Sequence, residues 1–480
     1  MYFDLTTFSF ESCTRAPESL AVAAADRDLS WAQLAAQAGQ WVERARAAGL
    51  GPDLPVVIRG HKEASFFVGM VGALMLGAPF VPIDTIYPQA RMDRIVAIVK
   101  PAVIYDAQQD TFCAPAVSGA SEIQKGLAYV LFTSGSTGDP KGVQIGRESV
   151  ALLGQWMTTS FGLGEAPVFM NQAPFSFDLS MYEVFGTLAS GGTCVLNDRQ
   201  AIGTAQWLPD MAGRQISVWV STPSFAHQQL VNRQFNSAGL PALKVFLFCG
   251  EPLPRPLALK LRERFPDAVV INTYGPTEAT VATTWVVIDD AMLASNQPLP
   301  IGHAKPDSLV YVDQGELCIV GDHVMRGYLN RPDLNATRMF THADGRRGFR
   351  TGDLGEQGAD GLLYCRGRMD DQIKLNGYRI ELSEVDAALG ALPGVSAAAC
   401  AVLRRPDGTP VRLIGFIEAT QAATAPTMAL PESLADWRTN LAHRLPTYMV
   451  PTELVDCPTL PVSSNHKVDR VALLGWYSGL

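Results

Sequence analysis

Apolar residues along the first third of the chain repeat with two different periods. Over residues 29–48 they recur at helical spacing, and Ser30 stands where an N-terminal cap is expected. A short apolar run at residues 54–59 then predicts a buried strand. The same order of helix and strand recurs at residues 64–76 with 79–83, and at residues 91–99 with 102–105. This alternation predicts an α/β fold built on doubly wound parallel sheets.

The remainder of the chain changes its pattern twice. Further buried strands are predicted at residues 168–171, 192–196, 218–221, 245–248 and 269–272. From residue 309 onward, short strands at 309–312 and 316–320 indicate a small β subdomain. Beyond Asp370 we predict strands at 373–375, 397–403 and 411–418, helices at 383–391 and 434–444, and a surface loop at 419–428. The predicted domains are therefore 1–369 and a smaller α+β domain at 370–480.

Composition excludes several classes of protein. Of 480 residues, 47% are hydrophobic, which supports more than one core. The net charge of −9 gives no electrostatic basis for binding nucleic acid or an anionic membrane. Eight cysteines stand singly, so neither a disulfide framework nor a zinc site is predicted. No signal peptide and no apolar run of about 18 residues occurs, and we expect a cytoplasmic protein without membrane insertion.

Residues 131–142, Leu-Phe-Thr-Ser-Gly-Ser-Thr-Gly-Asp-Pro-Lys-Gly, are the most informative motif of the chain. They follow an apolar, strand-like run at residues 127–132. Glycines let main-chain N–H groups turn around an anion, hydroxyl groups add donors, and Lys141 adds a positive charge. The spacing differs from the Walker pattern that ends in Gly-Lys-Ser/Thr, which disfavours a P-loop ATPase. The motif therefore predicts a loop that binds a triphosphate.

Further motifs stand in a fixed order along the chain. They are residues 171–178 (Asn-Gln-Ala-Pro-Phe-Ser-Phe-Asp), 248–254 (Phe-Cys-Gly-Glu-Pro-Leu-Pro), 272–278 (Asn-Thr-Tyr-Gly-Pro-Thr-Glu), 364–370 (Tyr-Cys-Arg-Gly-Arg-Met-Asp), 378–382 (Tyr-Arg-Ile-Glu-Leu) and 465–470 (Asn-His-Lys-Val-Asp-Arg). Together with the triphosphate loop, they resemble the adenylate-forming superfamily of amino-acid adenylation domains and acyl-CoA synthetases. Within it, the chain is most similar to stand-alone D-alanine:carrier-protein ligases. The resemblance covers nearly the whole chain.

The resemblance implies a reaction in two steps. A carboxylate attacks the α-phosphorus of ATP and expels pyrophosphate, and the thiol of a phosphopantetheine arm on a carrier protein then captures the acyl group. Charge accumulates on phosphate oxygens, so the reaction needs positioned cations and donors. It also implies a large N-terminal domain that binds ATP and the amino acid and a mobile C-terminal domain, with a hinge at Asp370. Only residues 475–480 follow Leu474, and we expect the carrier to be a separate protein acting in trans.

The resemblance also assigns the nucleotide site. Lys467 would bridge the α-phosphate and the substrate carboxylate, adenine would lie against Tyr274, and Asp353 with Arg368 would bind the ribose. Glu278 would ligate Mg²⁺, which prefers hard oxygen donors. The full ATP-binding set comprises Thr133, Ser134, Ser136, Thr137, Lys141, Gly250, Asn272, Thr273, Tyr274, Gly275, Pro276, Thr277, Asp353, Cys365, Arg366, Gly367 and Arg368.

The expected amino-acid site centres on Asp178, which would bind the substrate's α-ammonium because a buried carboxylate needs a positive partner. The implied pocket walls are Leu179, Tyr182, Val220, Leu247, Cys249, Thr273, Val281 and Ala282. The D-alanine ligases lead us to expect Met and Thr where this chain has Tyr182 and Val220. The larger Tyr182 would shrink the pocket toward glycine or reorient it for another small residue.

Three interpretations therefore remain open at the level of sequence. The first is activation of a small amino acid, D-alanine above all, for a carrier. The second is adenylation of glycine, L-alanine, serine or proline in a secondary-metabolite pathway. The third is a catalytically inactive protein that docks on a carrier, which the retained Lys467, Glu278 and Asp353 disfavour. His466 replaces the usual glycine before Lys467, and we interpret it as a surface substitution.

Overall fold

The computed structural model describes residues 2–11, 16–117, 119–135, 139–295, 297–370, 372–405, 408–419, 423, 425–462 and 468–479. The chain forms two compact units. The first comprises Met1–Asp84, Ile98–Leu131 and Gly142–Met369, and the second comprises Thr85–Ala97, Phe132–Lys141 and Asp370–Leu480. The change of unit after Met369 falls at the predicted domain boundary. The second unit also contains two segments that the prediction placed in the N-terminal domain.

The elements of residues 2–171 are β1 (Tyr2–Asp4), β2 (Ser9–Glu11), β3 (Leu20–Ala23), β4 (Asp28–Ser30), α1 (Trp31–Ala47), β5 (Val56–Gly60), α2 (Ala64–Leu76), β6 (Phe80–Asp84), α3 (Gln89–Val99), β7 (Val103–Asp106), β8 (Thr111–Cys113), β9 (Leu127–Thr133), β10 (Lys141–Gly146), α4 (Arg147–Ser160) and β11 (Val168–Asn171). The three pairs α1 with β5, α2 with β6 and α3 with β7 match the predicted alternation. Ser30 caps α1 as predicted, because its Oγ accepts a hydrogen bond from the Gln33 N–H while the Gln33 side chain accepts one from Ser30.

The central elements are α5 (Ser180–Ser190), β12 (Thr193–Leu196), α6 (Trp207–Gly213), β13 (Val218–Ser221), α7 (Pro223–Gln229), β14 (Val245–Phe248), α8 (Arg255–Arg264), β15 (Val269–Tyr274), β16 (Thr284–Val287), α9 (Asp290–Ala294) and β17 (His303–Ala304). A 3-10 turn, Thr277–Ala279, follows β15. All predicted strands of this region are present.

Two large sheets organise the first unit. One has six strands in the order β10-β9-β6-β5-β7-β8, and the other has nine in the order β17-β16-β15-β14-β13-β11-β12-β3-β4. In the nine-stranded sheet, β3, β12, β11, β13, β14 and β15 run parallel. At the edges, β4 pairs antiparallel with β3, β16 with β15, and β17 with β16. The parallel strands are buried on both faces, which explains their continuous apolar runs. The doubly wound α/β prediction is confirmed.

The remaining elements are β18 (Leu309–Asp313), β19 (Glu316–Val320), α10 (Pro332–Arg338), β20 (Met339–Thr341), β21 (Arg347–Gln357), β22 (Leu363–Arg368), β23 (Gln372–Leu375), β24 (Tyr378–Glu381), α11 (Leu382–Gly390), β25 (Val395–Arg404), β26 (Pro410–Ala419), α12 (Trp437–Ala442), β27 (Glu453–Asp456) and α13 (Arg470–Tyr477). Strands β18 to β22 form one five-stranded sheet, the predicted β subdomain. In the second unit, β23 pairs with β24, and β25, β26 and β27 form a three-stranded sheet.

The prediction of one helix over residues 434–444 is wrong. A 3-10 turn, Glu432–Leu434, precedes the much shorter α12, and Asp436 between them has φ −98° and ψ 20°, outside the α region. The apolar spacing nevertheless marked the buried side, because Leu434, Trp437 and Leu441 all pack in one core. Of the predicted loop at 419–428, residues 420–422 and 424 lie outside the described part. Among the described residues, every helix is too short or too polar to span a lipid bilayer.

Candidate functional site

The loops that follow the parallel strands of the nine-stranded sheet meet at one edge. Strand β11 ends at Asn171, β14 at Phe248 and β15 at Tyr274. Because carboxyl ends of adjacent parallel strands share an edge, the segments after them lie close together. The pairing of Val220 with Leu247 and of Phe248 with Asn272 fixes their register. Three of the predicted motifs therefore start from the same edge of the sheet.

The predicted amino-acid pocket is built from buried residues at this edge. Asp178, just before α5, is 9% exposed. The other wall residues that share one hydrophobic cluster are Leu179, Tyr182, Val220, Leu247, Cys249, Val281 and Ala282. The Cys249 thiol lies 3.6 Å from the Val281 carbonyl oxygen. This set combines one buried carboxylate with apolar walls, as a small amino acid requires.

Tyr182 is a fixed part of this wall. Its hydroxyl donates a hydrogen bond to Thr273 Oγ1 at 3.1 Å, and its ring packs beside Trp156 and Phe161. Burial raises the pKa of Tyr182 well above its ordinary value, so the hydroxyl stays a donor. Thr273 in turn donates to the Phe248 carbonyl oxygen at 2.8 Å. The volume of the Tyr182 ring is therefore unavailable to a substrate.

A strained turn forms another part of the wall. Thr280 and Val281 have φ of 53° and 68°, a left-handed conformation that is rare for β-branched residues. Thr280 Oγ1 donates to the His323 carbonyl oxygen at 2.6 Å, and Lys305 Nζ donates to the Ala282 carbonyl oxygen at 2.8 Å. Strain of this kind persists only where the surroundings hold it, and it is enriched at ligand sites.

The residues predicted to bind the nucleoside form a hydrogen-bonded group in the first unit. The Tyr274 hydroxyl donates to Asp353 Oδ2 at 2.5 Å, and Arg368 donates to Asp353 Oδ1 at 2.8 Å. Burial, reinforced by Asp353, raises the pKa of Tyr274 well above its ordinary value. Asn272 donates its amide to the Pro300 carbonyl oxygen at 2.7 Å. Asp353 is thereby held by two donors next to the tyrosine expected to stack on adenine.

Glycines of the predicted nucleotide set are required by backbone geometry. A Cβ on Gly275 would lie 2.4 Å from the Ala282 Cα, so no other residue fits. Gly250 and Gly367 have φ of 94° and 120°. Of the remaining members of the set, Pro276 and Thr277 begin the turn after β15, Cys365 is partly buried on β22, and Arg366 is exposed and paired with Glu356.

Glu278 is fully buried in the turn after β15. Its Oε1 accepts a hydrogen bond from the Tyr328 hydroxyl at 2.5 Å, and its main-chain oxygen accepts one from the Met325 N–H. In the part of the chain that the structure describes, no three His, Cys, Asp or Glu side chains cluster to hold a metal. A single carboxylate suits Mg²⁺, which is commonly held by one or two carboxylates together with substrate phosphates and water.

Ser134, Gly135 and Lys141 of the triphosphate loop lie in the second unit and contact carbonyl and carboxylate oxygens there. Lys141 Nζ is 2.9 Å from Glu381 Oε1, and both side chains are largely buried. Ser134 Oγ donates to the Arg379 carbonyl oxygen at 2.9 Å. The Gly135 N–H donates to Glu384 Oε2 at 3.3 Å. Carboxylate oxygens thus contact both the lysine and a main-chain donor of this loop.

Glu384 also pairs with Arg91 at 2.6 Å, and both side chains are 4% exposed. Burial raises the pKa of Glu384, while Arg91 acts in the opposite direction.

Asp370, the predicted hinge, is exposed and begins the third segment of the second unit. Ser136, Thr137, His466 and Lys467 lie outside the described residues. Thr133 is described, and its Oγ1 is buried without a hydrogen-bond partner among the described residues.

Comparison with known proteins decides the family. A model of the family described as "AMP-binding enzyme" matches residues 9–329, two thirds of the chain. The chain belongs to the AMP-binding enzyme family. The D-alanine--D-alanyl carrier protein ligase of Staphylococcus epidermidis is 37% identical over 478 residues, covering 95% of each protein. The protein of the same name from Staphylococcus aureus is 36% identical over 472 residues, also covering 95% of each.

A solved structure supports the fold of this AMP-binding enzyme. The adenylation domain AlmE of Vibrio cholerae, crystallised with glycyl-adenosine-5'-phosphate, superposes with a TM-score of 0.82 at 20% identity, covering 99% of this chain and 97% of that one. The sequence relatives and this fold identify an ATP-dependent ligase that forms AMP. The predicted recognition, fold class and enzyme class are confirmed.

The AMP-binding enzyme also contains a buried network that sequence reasoning missed. Lys62 donates to Asn171 Oδ1 and to the Ala173 carbonyl oxygen, at the start of the segment that leads to Asp178. Asn171 Nδ2 donates to Glu183 Oε1 at 3.1 Å, on α5 just beyond that segment. The network therefore fixes both ends of the segment that carries Asp178. Lys62 lies 109 residues from Asn171, and no local signal marks the pair.

Glu183 should make the stability of this AMP-binding enzyme dependent on pH. Burial raises the pKa of Glu183 from 4.5 to about 8, so the folded chain keeps a proton that the unfolded chain has lost between these values. Its contribution to stability is complete below about pH 4.5 and disappears as the pH rises through 8. The free energy of unfolding of Glu183→Gln, relative to that of native protein, should rise by about 2–5 kcal/mol between pH 5 and pH 8. Calorimetric melting of both proteins across this pH range measures the change.

The matched control is Glu263→Gln, which changes an exposed glutamate whose pKa is lowered by hydrogen bonding to Lys260. The free energy of unfolding of Glu263→Gln, relative to that of native protein, should not change over the same pH range. A native protein and a Glu183→Gln variant whose melting temperatures differ equally at pH 5 and pH 8 would contradict the assignment of a raised pKa.

Proposed function

We propose that the enzyme adenylates D-alanine with ATP and transfers the D-alanyl group to the phosphopantetheine thiol of a separate carrier protein. The observation that carries the proposal is the buried Asp178 carboxylate at the sheet edge that also bears Tyr274 and the apolar pocket. The names of the relatives that share 36–37% identity over nearly the full chain supply the substrate and the carrier.

In this proposal, Asp178 binds the α-ammonium of the amino acid. The fixed ring of Tyr182 and the strained turn at Thr280 and Val281 limit the space beyond the Cα atom. A methyl side chain fits such a restricted wall better than a long or aromatic one. An acid without an ammonium group would leave the buried carboxylate of Asp178 in contact with an uncharged group, which disfavours fatty acids.

The nucleotide would be held by groups whose contacts are described above. Tyr274 would stack on adenine, and Asp353, oriented by Arg368, would accept hydrogen bonds from the ribose hydroxyls. Ser134, Gly135 and Lys141 would bind the β- and γ-phosphates. Lys141 and the Gly135 N–H would exchange their present carboxylate partners for phosphate oxygens, and Ser134 would exchange the Arg379 carbonyl oxygen. The remaining members of the set assigned from sequence, including Ser136 and Thr137, would complete the site.

Lys467 would neutralise the repulsion between the α-phosphate and the attacking carboxylate. Mg²⁺, held by Glu278 and the phosphates, would neutralise charge that develops on the phosphate oxygens. Asp370 would be the hinge at which the C-terminal domain, residues 370–480, turns between the two steps. These roles rest on the match of each residue to the family motifs and on the burial of Glu278.

Amino-acid-dependent exchange of pyrophosphate into ATP tests the proposal. D-alanine should give the highest kcat/KM, and L-alanine should be lower by roughly tenfold to a few hundredfold, the range that one methyl contact supports. Octanoate and benzoate should give no exchange. Highest activity with glycine would instead favour the second candidate, a glycine-activating enzyme, for which the buried Tyr182 ring is the supporting observation.

Transfer is tested separately with a phosphopantetheinylated carrier. Radiolabelled D-alanine should appear on the carrier thiol only when ATP is present. An enzyme that supports exchange with D-alanine but labels no carrier from its own genome would contradict the second half of the proposal.

A further inference from the structure

A polar pocket lies beside helix α4 in the first unit. It has a volume of about 50 Å³, and its lining includes Gln155, Trp156, Lys305, Ser308 and His323. One water molecule needs roughly 10–15 Å³ on this measure, so a compact ion of a few heavy atoms fits and a nucleotide does not. None of these residues belongs to the set assigned to ATP or to the amino acid.

Lys305 is an unusual member of this lining because its side chain is buried and has no carboxylate partner among the described residues. The residue is 3% exposed, and Nζ donates one hydrogen bond, to the Ala282 carbonyl oxygen at 2.8 Å. The distance from Lys305 Nζ to the centroid of the Trp156 ring is 5.1 Å. An ammonium group has three donors, and among the described residues no carboxylate forms an ion pair with this one. Buried charges are normally paired, so an anionic partner would stabilise the charged form of this group.

The other groups around the pocket also favour an anion. The indole N–H of Trp156 is buried and has no acceptor among the described residues. His323, 1% exposed, has its ring nitrogens 3.2 Å from Thr283 Oγ1 and 3.3 Å from Ser308 Oγ. The one carboxylate in the lining, Asp307, is exposed.

More distant charges do not reverse this balance. Burial lowers the pKa of His323, and Lys305, Arg347 and Arg346 lower it further. Arg347 pairs with Glu148, and Arg346 pairs with Asp344. Among the described residues, the lining therefore combines a buried lysine with neutral donors and contains no buried carboxylate.

We propose that this pocket binds a small monovalent anion, of the size of chloride or formate, paired with the Lys305 ammonium. The anion would act on the amino-acid pocket through the Ala282 carbonyl, which Lys305 holds beside the strained turn at Thr280 and Val281. A charged donor forms a hydrogen bond roughly twice as strong as a neutral one. An anion that keeps Lys305 charged therefore strengthens the hydrogen bond from Lys305 to the Ala282 carbonyl oxygen.

Protonation supplies a signature of the site. Burial lowers the pKa of Lys305 from 10.5 to about 7, so near pH 8.5 the amine of the native protein is mostly neutral. Binding of an anion favours the ammonium form, and each bound anion should therefore take up close to one proton at pH 8.5. Below pH 6 the ammonium is already formed, and little uptake is expected.

The experiment titrates the full-length protein with formate at constant ionic strength, with sodium gluconate as the balancing salt because gluconate is too large for the pocket. A saturable rise in melting temperature is expected. Calorimetric titration at pH 8.5 in two buffers of different ionisation enthalpy should show the proton uptake. These readouts do not depend on the proposed reaction. In the exchange assay, saturating formate should lower the KM for the amino acid about two- to fivefold.

Lys305→Met should abolish the rise in melting temperature, the proton uptake and the change in KM. Gln155→Glu, at an exposed position on α4, places a carboxylate at the pocket and should weaken formate binding at least fivefold without disturbing the fold. Its matched control is Gln228→Glu, at an exposed position on α7, which should bind formate like native protein. A native protein without saturable binding, equal binding in Gln155→Glu and in Gln228→Glu, or an unchanged KM would overturn the proposal.

Discussion

Replacement of Asp178 by alanine should lower kcat/KM for D-alanine-dependent pyrophosphate exchange by about 100-fold or more, corresponding to roughly 3 kcal/mol. Asp178 is 9% exposed and precedes α5 at the edge of the nine-stranded sheet. In the proposed complex, its carboxylate faces the ammonium of the amino acid. The truncated site would leave that ammonium desolvated without a negative charge, and the loss of one member of such a pair is costly.

The control is Asp210→Ala, at an exposed position on α6, which should leave exchange unchanged. Asp178→Asn keeps the shape of the side chain and removes its charge, and it should lose nearly as much activity as Asp178→Ala. Nearly full activity of Asp178→Asn would mean that another group binds the ammonium. The KM for ATP should stay within about threefold in both variants, since Asp178 is not assigned to the nucleotide.

Lys467→Ala should reduce pyrophosphate exchange by about 10²–10³-fold or more, the scale found when one group that stabilises transition-state charge is removed. Transfer from chemically supplied D-alanyl adenylate to the carrier should remain within about threefold of native. The reason is that the proposed role of Lys467 lies only in the first step, where two anions must approach each other. Rapid-quench measurement of each half-reaction separates the two effects.

Lys374→Ala, which changes a lysine on β23 in the same domain, is the matched control and should leave exchange intact. Equal losses of Lys467→Ala in exchange and in transfer would show that the lysine acts in both steps. In that case, no movement at Asp370 would be needed to explain its role.

The strands were the most predictable part of the fold. Strands β11 and β13 have the bounds predicted from sequence because each is a short, mostly apolar and buried run flanked by proline or polar residues. The helix over 434–444 was mispredicted because the spacing of Leu434, Trp437 and Leu441 reports burial, and both a helix and a 3-10 turn can satisfy it. Periodicity thus identified the buried side without determining the backbone.

The candidate site was predictable where family motifs supply the residue and unpredictable where a partner comes from a distant part of the sequence. Asp353, Tyr274 and Glu278 were identified from their motifs. Tyr328, which donates to Glu278, and Lys62, which holds Asn171, were not, because each is an ordinary polar residue in its local sequence. Lys305 gave no signal for the same reason. The residues proposed to bind ligands were therefore visible in sequence, and the residues that contact and position them were not.

The ion pair between Arg91 and Glu384 constrains how the protein is made. The two residues are 293 positions apart in sequence. At synthesis rates of 5–20 residues per second, Arg91 emerges from the ribosome roughly 15–60 s before Glu384. During this interval, α3 lacks the carboxylate that neutralises the arginine in the native state. Residues 85–97 therefore cannot complete their native packing during synthesis of the first 383 residues, and this helix should be among the last parts of the nascent chain to become resistant to proteolysis.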